Sequence, residues 1–458
     1  MSIKRYIASK DTTITNAYKL NGLTRGENSN MGASDILEIF SIYGQISDTS
    51  LEKSRILIDF PISDIISDRN SNKIGLSGSV EFILNLSNAS HTQSTPDDLS
   101  VVISALSKSW SEGTGLDMEG YTDIGYANWN KATKTSSWIN PGGDIITGSD
   151  INIILSLPTD DLNVDITSIV EEWIAGTKQN NGLLIKLSSS QEDAEESYYT
   201  KKFFARRSQF FYKKPYIEAR TRDALKDKRN NFYSNSSILS NEDNNNVICI
   251  YNNFNGNLKN IPSIDTGTAI VRIFSGTIEN GPAGNPLSMS NGLTYVTGGF
   301  YSTGIYTASI NIKTSNELLY DIWYDLSGNI LLTGSAIYVN QHNINNTTNS
   351  ADYILSMPEI KNKYSSKDFV KMRVYGYNRQ WDSNIFTVSS KENSVKIIDN
   401  LYFKISRIAD SYEVIQPGTG TLQHTLCSYD NVSNYFNLDM SLFEPGYSYK
   451  IEFLNKEK

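Results

Sequence analysis

Three acids in one glycine-rich run have the residue types that bind a cation. Asp117, Glu119 and Asp123 follow Trp110 within the run WSEGTGLDMEGYTD. Carboxylate oxygens on a flexible loop suit calcium, although this spacing differs from that of an EF-hand loop. We therefore name Asp117, Glu119 and Asp123 as a candidate calcium site, with solvated loop acids as the alternative.

Two tryptophans follow the acidic run and could bind a sugar. Trp129 and Trp138 lie in polar surroundings, with Tyr121 and Tyr126 nearby. An aromatic face packs well against the apolar face of a pyranose, so these four residues are a candidate carbohydrate-binding platform. Packing of the two indoles at the edge of a core is the alternative.

The sequence lacks the residue patterns that zinc sites, serine hydrolases and phosphate-binding loops require. The three histidines, His91, His342 and His424, form no metal-binding pair at helical spacing, and the chain has no GxSxG, GxxxxGK[ST] or GxGxxG run. We therefore expect no zinc site, no serine hydrolase and no cofactor. Fifty Asp and Glu residues leave a glycoside-hydrolysing carboxylate pair open, so a polysaccharide depolymerase stays an alternative.

Composition predicts a folded chain of several units that does not bind nucleic acid. The 458 residues suggest two to four domains, and a net charge of −9 lacks the basic excess that phosphate neutralisation needs. The N-terminus has no apolar signal region, and no apolar run approaches the roughly 18 residues of a membrane span. We expect no membrane partner, and we expect Cys249 and Cys427 to be buried free thiols.

Short segments rich in β-branched and aromatic residues recur along the whole chain. They are separated by Gly, Asn, Ser and Asp, without the long helical patterns of βαβ units, which predicts antiparallel sheets. These segments are 36–40, 55–60, 78–86, 101–106, 151–157, 183–187, 201–208, 212–220, 247–251, 269–274, 293–296, 305–312, 319–324, 336–339, 370–377, 395–398, 401–407, 411–415, 435–440 and 447–453.

One segment has helical periodicity. Ile166, Ile169, Val170 and Trp173 recur at i, i+3, i+4 and i+7 within DITSIVEEWIAG at 165–176. The first Asp is a suitable N-cap and the last Gly a suitable stop. We predict a short amphipathic helix whose apolar stripe closes one end of a β-sandwich.

Polar stretches divide the chain. We predict a first domain at 1–220, a polar linker at 221–246 that buries little surface, an immunoglobulin-like sandwich at 247–345 and a C-terminal sandwich at 346–458. The basic run KKFFARRS at 201–208 suggests either an anion site or a strand face covered by long side chains.

The first domain resembles a DNRLRE-type β-sandwich. The resemblance rests on the order of DTTI at 11–14, NMGASDILEIF at 30–40, SRILIDF at 54–60, SKSWSEGTG at 107–115, and the helical segment with NGLLIKL at 181–187. That family is a jelly-roll module of surface and carbohydrate-binding proteins, and versions of it resemble structural proteins of tailed bacteriophages. The absence of a signal peptide and of a catalytic domain departs from its secreted members.

The resemblance covers residues 1 to about 220 and implies that they form a jelly-roll β-sandwich with one short helix. The strand pattern predicts that the chain is all-β and that two smaller immunoglobulin-like or β-sandwich domains follow. The resemblance also implies a non-enzymatic virion protein of the neck, tail or head decoration, present in multiple copies in a symmetric assembly. Its expected partners are other virion proteins, and its expected location is the virion, assembled in the host cytoplasm and released by lysis. A carbohydrate-binding adhesin for host glycans is the main alternative.

Overall fold

The computed structural model describes residues 3–93, 95–122, 125–342, 352–379 and 395–456. Strands contain 41% of the residues and helices 7%, which confirms the all-β prediction. In the described part of the chain the longest helices have nine residues, far from the roughly 20 that cross a bilayer.

The first 221 residues contain, in their described part, thirteen strands and three α-helices. The strands are β1 (Ile3–Ile7), β2 (Lys10–Thr15), β3 (Ile36–Tyr43), β4 (Leu51–Asp59), β5 (Val80–Leu86), β6 (Leu99–Ala105), β7 (Lys131–Thr133), β8 (Ser136–Ser137), β9 (Ile151–Leu155), β10 (Leu162–Asp165), β11 (Leu183–Leu187), β12 (Tyr198–Phe204) and β13 (Tyr216–Thr221). The helices are α1 (Ile62–Asn70), α2 (Thr167–Ala175) and α3 (Ser189–Glu192).

These strands form a two-layer sandwich. One sheet has the order β1-β13-β5-β10, and the other has the order β12-β3-β4-β11-β6-β9 with β2 paired to β4. We call them the four-stranded and the seven-stranded sheet. Because side chains alternate along a strand, Ile217 and Ala219 of β13 enter the shared core, whereas Tyr216, Glu218 and Arg220 lie on the outer face.

Helix α2 confirms the predicted stripe. Ile166, Ile169, Val170 and Trp173 are all buried in the core of the sandwich. The helix begins one residue later than expected, because its N-cap residue is Ile166 and not Asp165. The Asp165 carboxylate accepts a hydrogen bond from Thr167 N at 2.8 Å. The sequence singled out this helix alone and missed α1 and α3, whose short polar segments carry too little periodicity.

The middle region is built around one curled sheet of nine strands. Its strands are β14 (Phe232–Tyr233), β15 (Asn246–Tyr251), β16 (Asn253–Phe254), β17 (Asn257–Leu258), β18 (Thr268–Thr277), β19 (Gly281–Ala283), β20 (Val296–Ser302), β21 (Ile305–Ile310), β22 (Leu318–Tyr324), β23 (Ile330–Thr333) and β24 (Ile337–Asn340). The order is β14-β24-β22-β18-β20-β21-β15, with β19 and β23 on the flanks and β16-β17 as a separate hairpin.

A side chain joins the two ends of this curled sheet. Asn246 of β15 accepts a hydrogen bond from Tyr233 N at 3.0 Å and donates one to Tyr233 O at 2.8 Å. A carboxamide carries one donor and one acceptor group, so it can replace a backbone pair between β14 and β15. The Asn246 side chain is buried, and it bridges the two end strands of the sheet at this point.

The C-terminal region is a second two-layer sandwich. Its strands are β25 (Tyr353–Ser356), β26 (Phe369–Asn378), β27 (Leu401–Arg407), β28 (Glu413–Ile415), β29 (Ser428–Tyr429), β30 (Asn434–Asp439) and β31 (Tyr449–Asn455). The sheets β25-β26-β30-β29 and β28-β27-β31 face a common core, in which Phe403 stacks on Phe436 at 4.3 Å between ring centroids.

Several details differ from the predictions. The 221–246 segment does not stay outside the packed structure, because Leu225, Arg229 and Phe232 are buried. The sequence also suggests that segments 201–208 and 212–220 form a strand pair at the end of the first domain. They do not pair with each other, since β12 joins β3 and β13 joins β1 and β5. Cys249 and Cys427 are free and buried, as predicted.

The jelly-roll and immunoglobulin-like designations and the domain limits stay predictions. The limit at 345/346 lies outside the described residues.

Candidate functional site

The predicted sugar platform is wrong at its centre. Trp129 and Trp138 are only 6% and 5% exposed and pack in a small core with Trp110. Trp138 donates its indole N–H to Asn128 O at 2.9 Å. Both rings are packed inside the protein instead of facing solvent, which agrees with the alternative that they pack at the edge of a core.

The two tyrosines of the predicted platform lie apart from this core. Tyr126 is exposed and Tyr121 is half-buried. Without the two indoles they do not form a continuous aromatic surface.

The predicted calcium ligands already have loop partners. One oxygen of Asp117 accepts hydrogen bonds from Glu119 N and Gly120 N, and the Glu119 carboxylate accepts one from Leu20 N at 2.7 Å. Asp123 lies outside the described residues. Within the residues that the structure describes, no three acids, histidines or cysteines cluster in a way that could hold a metal ion.

The basic run at 201–208 pairs with acceptors of the same sandwich. Lys201 is fully buried and its ammonium donates to Asn88 Oδ1, Pro158 O and Asp160 O at 2.6–2.8 Å. Lys202 forms an ion pair with Glu38 at 2.7 Å. Both lysines of the run are therefore engaged within the sandwich.

Residues from the motifs that carry the family resemblance converge in space. Asn30 donates its carboxamide to Glu112 O and accepts a hydrogen bond from Gly115 N at 2.8 Å. Glu112 in turn accepts from Asp11 N and forms an ion pair with Arg206. A Cβ at Gly115 would lie 1.9 Å from Asn30 O, so only glycine fits there. The convergence is structural, because these polar groups bind each other.

A polar cleft of about 450 Å³ lies between the first sandwich and the C-terminal region. Its floor is the outer face of the four-stranded sheet. The register places Tyr216 opposite Asn85 and Asn85 opposite Asn163, so these residues share one row across the sheet. The opposite wall is the loop that follows β28, from Gln416 to His424.

An ion-pair triad lies at one end of the floor. Glu218 accepts hydrogen bonds from Arg5 Nε at 2.8 Å and Arg220 Nε at 2.7 Å. Burial favours the neutral form of Glu218, but the charges of Arg5 and Arg220 outweigh it and hold the pKa of Glu218 below its ordinary value. Arg5 also donates to Val414 O at 2.6 Å, which ties the floor to the opposite wall.

The wall loop is held by close packing around Gly418. Its N–H donates to Thr425 Oγ1 at 2.7 Å, and a Cβ at this position would lie 2.2 Å from the imidazole of His424. Burial, together with the charge of Arg220, lowers the pKa of His424 to about 4. The imidazole is therefore neutral near pH 7.

Three groups of the floor stay available for a ligand. Within the described part of the chain, Glu81 and Asn163 have no side-chain hydrogen bond or ion pair, and Arg220 uses only its Nε. Asp161 uses one oxygen on Asn88 N at 2.7 Å. The buried carboxylate of the cleft, Glu218, is fully paired, so the cleft offers binding groups without a free pair of buried acids.

This cleft is not evident from the sequence. Its residues come from strands β1, β5, β10 and β13 and from a loop some 200 positions further along the chain. The one usable signal was the polar alternation of β13, where Tyr216, Glu218 and Arg220 interrupt a strand that would otherwise be apolar. No protein-family model matches this chain, and no curated protein matches it either.

Proposed function

We propose that this chain is a non-enzymatic structural component of a tailed-bacteriophage virion, in the neck, the tail or the head decoration. It assembles with other virion proteins, and with further copies of itself, through its β-rich surfaces. The single observation that carries the proposal is that the three regions are joined by buried side chains and shared hydrogen bonds. A protein that holds neighbouring proteins in place needs such contacts between its regions, and we call these contacts joints.

Tyr212 connects the first sandwich to the C-terminal region. Its ring stacks on Tyr412 at 4.9 Å between centroids, and the Arg407 guanidinium lies 5.1 Å from its centroid. Its hydroxyl lies 2.8 Å from Tyr449 Oη and accepts a hydrogen bond from Glu444 N at 2.9 Å. Although it precedes β13, Tyr212 belongs to the core of the C-terminal sandwich.

The 221–246 segment connects the C-terminal region to the curled sheet of the middle region. Tyr429 N donates to Leu225 O at 2.9 Å and Asp227 N donates to Tyr429 O at 3.1 Å, so the segment lies beside β29 like an additional strand. Leu225 N also donates to Ser428 Oγ at 3.0 Å. Strand addition uses backbone hydrogen bonds and fixes the segment along its length.

The same segment enters the curled sheet through a buried ion pair. Arg229 binds both carboxylate oxygens of Asp321 at 2.6 and 2.8 Å, and Trp323 Nε1 donates to the same carboxylate at 2.7 Å. Asp321 is fully buried. Bidentate Arg–carboxylate pairs fix direction as well as distance, which makes this contact a rigid joint.

Exposed apolar side chains support contacts with neighbouring proteins. Leu20 and Leu23 are 93% and 83% exposed, and a Cβ at Gly22 between them would lie 3.5 Å from Ile46 Cδ1. Ile46 is itself 44% exposed. Grouped exposed apolar residues are typical of protein–protein contacts.

The test is quantitative mass spectrometry of phage particles purified by density gradient from a lysate that contains this chain. The chain should band with the particles at a fixed copy number relative to the major capsid protein. The control is an abundant host protein, which should decrease with each purification step. Loss of the chain in parallel with the host protein would contradict the proposal.

A further inference from the structure

We propose that the polar cleft between the four-stranded sheet and the loop 416–424 binds a neutral oligosaccharide. This inference goes beyond the structural role. It also moves glycan binding away from Trp129 and Trp138, whose rings are buried.

The dimensions of the cleft suit a small ligand. Its volume of about 450 Å³ lies within the range of roughly 300 to 1,000 Å³ that is typical of small-molecule sites. Its mouth is open, since Asp161, Asn163, Gln416 and Thr421 are exposed around it. A chain of sugar units can therefore enter from solvent and extend beyond the cleft.

The charges of the cleft disfavour an anionic ligand. Its lining contains four carboxylates, those of Glu81, Asp161, Glu218 and Glu413, against the two guanidiniums of Arg5 and Arg220. Glu413 forms an ion pair with Lys404, and the other three carboxylates still outnumber the two guanidiniums. Both guanidiniums already bind Glu218. A phosphate or a carboxylate ligand would thus face an excess of negative charge.

The unengaged groups match the hydrogen bonding of sugar hydroxyls. A hydroxyl both donates and accepts, so adjacent hydroxyls can donate to Glu81 and accept from the Nη groups of Arg220 or the carboxamide of Asn163. Hydrogen bonds to charged groups are the stronger ones. The aromatic rings contribute less, because Arg5 covers one face of Tyr216 at 4.7 Å and Tyr212 covers one face of Tyr412.

The experiment uses the full chain and a panel of neutral tetrasaccharides of glucose, mannose, galactose and N-acetylglucosamine. Saturation-transfer NMR identifies the members that bind, and calorimetry gives the Kd of each. Asn163→Ala should weaken binding about tenfold, and Glu81→Ala combined with Asn163→Ala should abolish it. The matched control is Asn152→Ala, an exposed asparagine on β9 of the seven-stranded sheet, which should bind like wild type.

Three results would overturn the inference. The first is that no panel member binds the wild-type chain at millimolar concentration, and the second is that inorganic phosphate binds in the cleft instead. The third is that the double variant, folded by circular dichroism, keeps the wild-type Kd. None of these results bears on whether the chain is part of a virion.

Discussion

At the scale of single residues, Asp11 is the most perturbed carboxylate of the converged motif residues. It is buried on β2, where one oxygen accepts a hydrogen bond from Arg206 N at 2.6 Å. Within the described residues its other oxygen has no hydrogen-bond partner. Burial raises the pKa of Asp11 to about 7, and the nearby Glu112 adds to this, while Arg206 and Arg207 act in the opposite direction.

The raised pKa predicts a pH dependence of stability. In the unfolded chain Asp11 loses its proton near pH 4, whereas in the folded chain it holds the proton up to about pH 7. The free energy of unfolding therefore falls as pH rises from about 4 to about 7. Asp11→Asn removes this effect, so the variant should gain at least about 1 kcal/mol relative to wild type across that window.

Urea unfolding at pH 4.5 and pH 8 measures this difference. Comparing variant with wild type cancels the titration of other groups, including His424. Thr13→Ser, a change on the same strand that does not titrate, is the control and should give the same difference at both pH values. An Asp11→Asn difference that does not change with pH would show that Asp11 is ionised at both.

At the scale of elements, α2 closes one end of the first sandwich by burying its apolar stripe. Trp173 contributes the largest side chain of this stripe and is 4% exposed. In the described part of the chain its indole N–H has no acceptor, so the residue acts through volume alone.

Removing that volume should be costly. Trp173→Ala should lower the free energy of unfolding by about 3 to 5 kcal/mol, because it leaves a cavity that the surrounding strands cannot fill. Trp173→Phe keeps a ring and removes the unpaired N–H, so its loss should be clearly smaller. Chemical denaturation of both variants checks this, and an unchanged midpoint for Trp173→Ala would contradict the role of α2.

The curled sheet depends on one carboxamide at its closure. Asn246→Ala removes the pair of hydrogen bonds to Tyr233 and leaves both backbone groups without their partner. We expect a loss of about 1 to 3 kcal/mol. Hydrogen exchange should increase at Tyr233, and Asn253→Ala, an exposed asparagine on β16, should change neither quantity. Wild-type exchange at Tyr233 in Asn246→Ala would mean that the sheet closes without this side chain.

At the scale of the whole molecule, the joints determine whether the regions move together. The three regions have separate cores, yet Tyr212 of the first region lies in the core of the C-terminal region. A buried aromatic side chain that crosses such a boundary couples the stability of the two sides.

Tyr212→Ala should uncouple them. The variant loses the stacking on Tyr412 and the hydroxyl contacts to Tyr449 and Glu444, so limited proteolysis near residue 212 should be at least about tenfold faster, as a loss above 1.4 kcal/mol predicts. Tyr338→Ala, an exposed tyrosine of the curled sheet, is the matched control. Equal cleavage of the two variants near residue 212 would show that Tyr212 does not couple the two regions, and this contact would no longer support the proposed function.

The sequence predicted much of the fold and little of the candidate site. Segments 36–40, 183–187 and 401–407 coincide with β3, β11 and β27, because β-branched and aromatic residues between turn residues specify a strand locally. Gly182, directly before β11, has a φ of +88°, a backbone conformation that favours glycine.

Only the tertiary structure decided which polar residues meet. Arg5, Glu218 and Val414 form one end of the cleft, yet they are separated by hundreds of positions. Alternation along a strand tells which residues share a face, but whether that face is covered depends on a distant segment that packs against it. For the same reason Trp129 could be read as a platform or as core until the packing of its loop was known. The sequence by itself determined the strands, and the contacts between distant strands and loops determined the cleft.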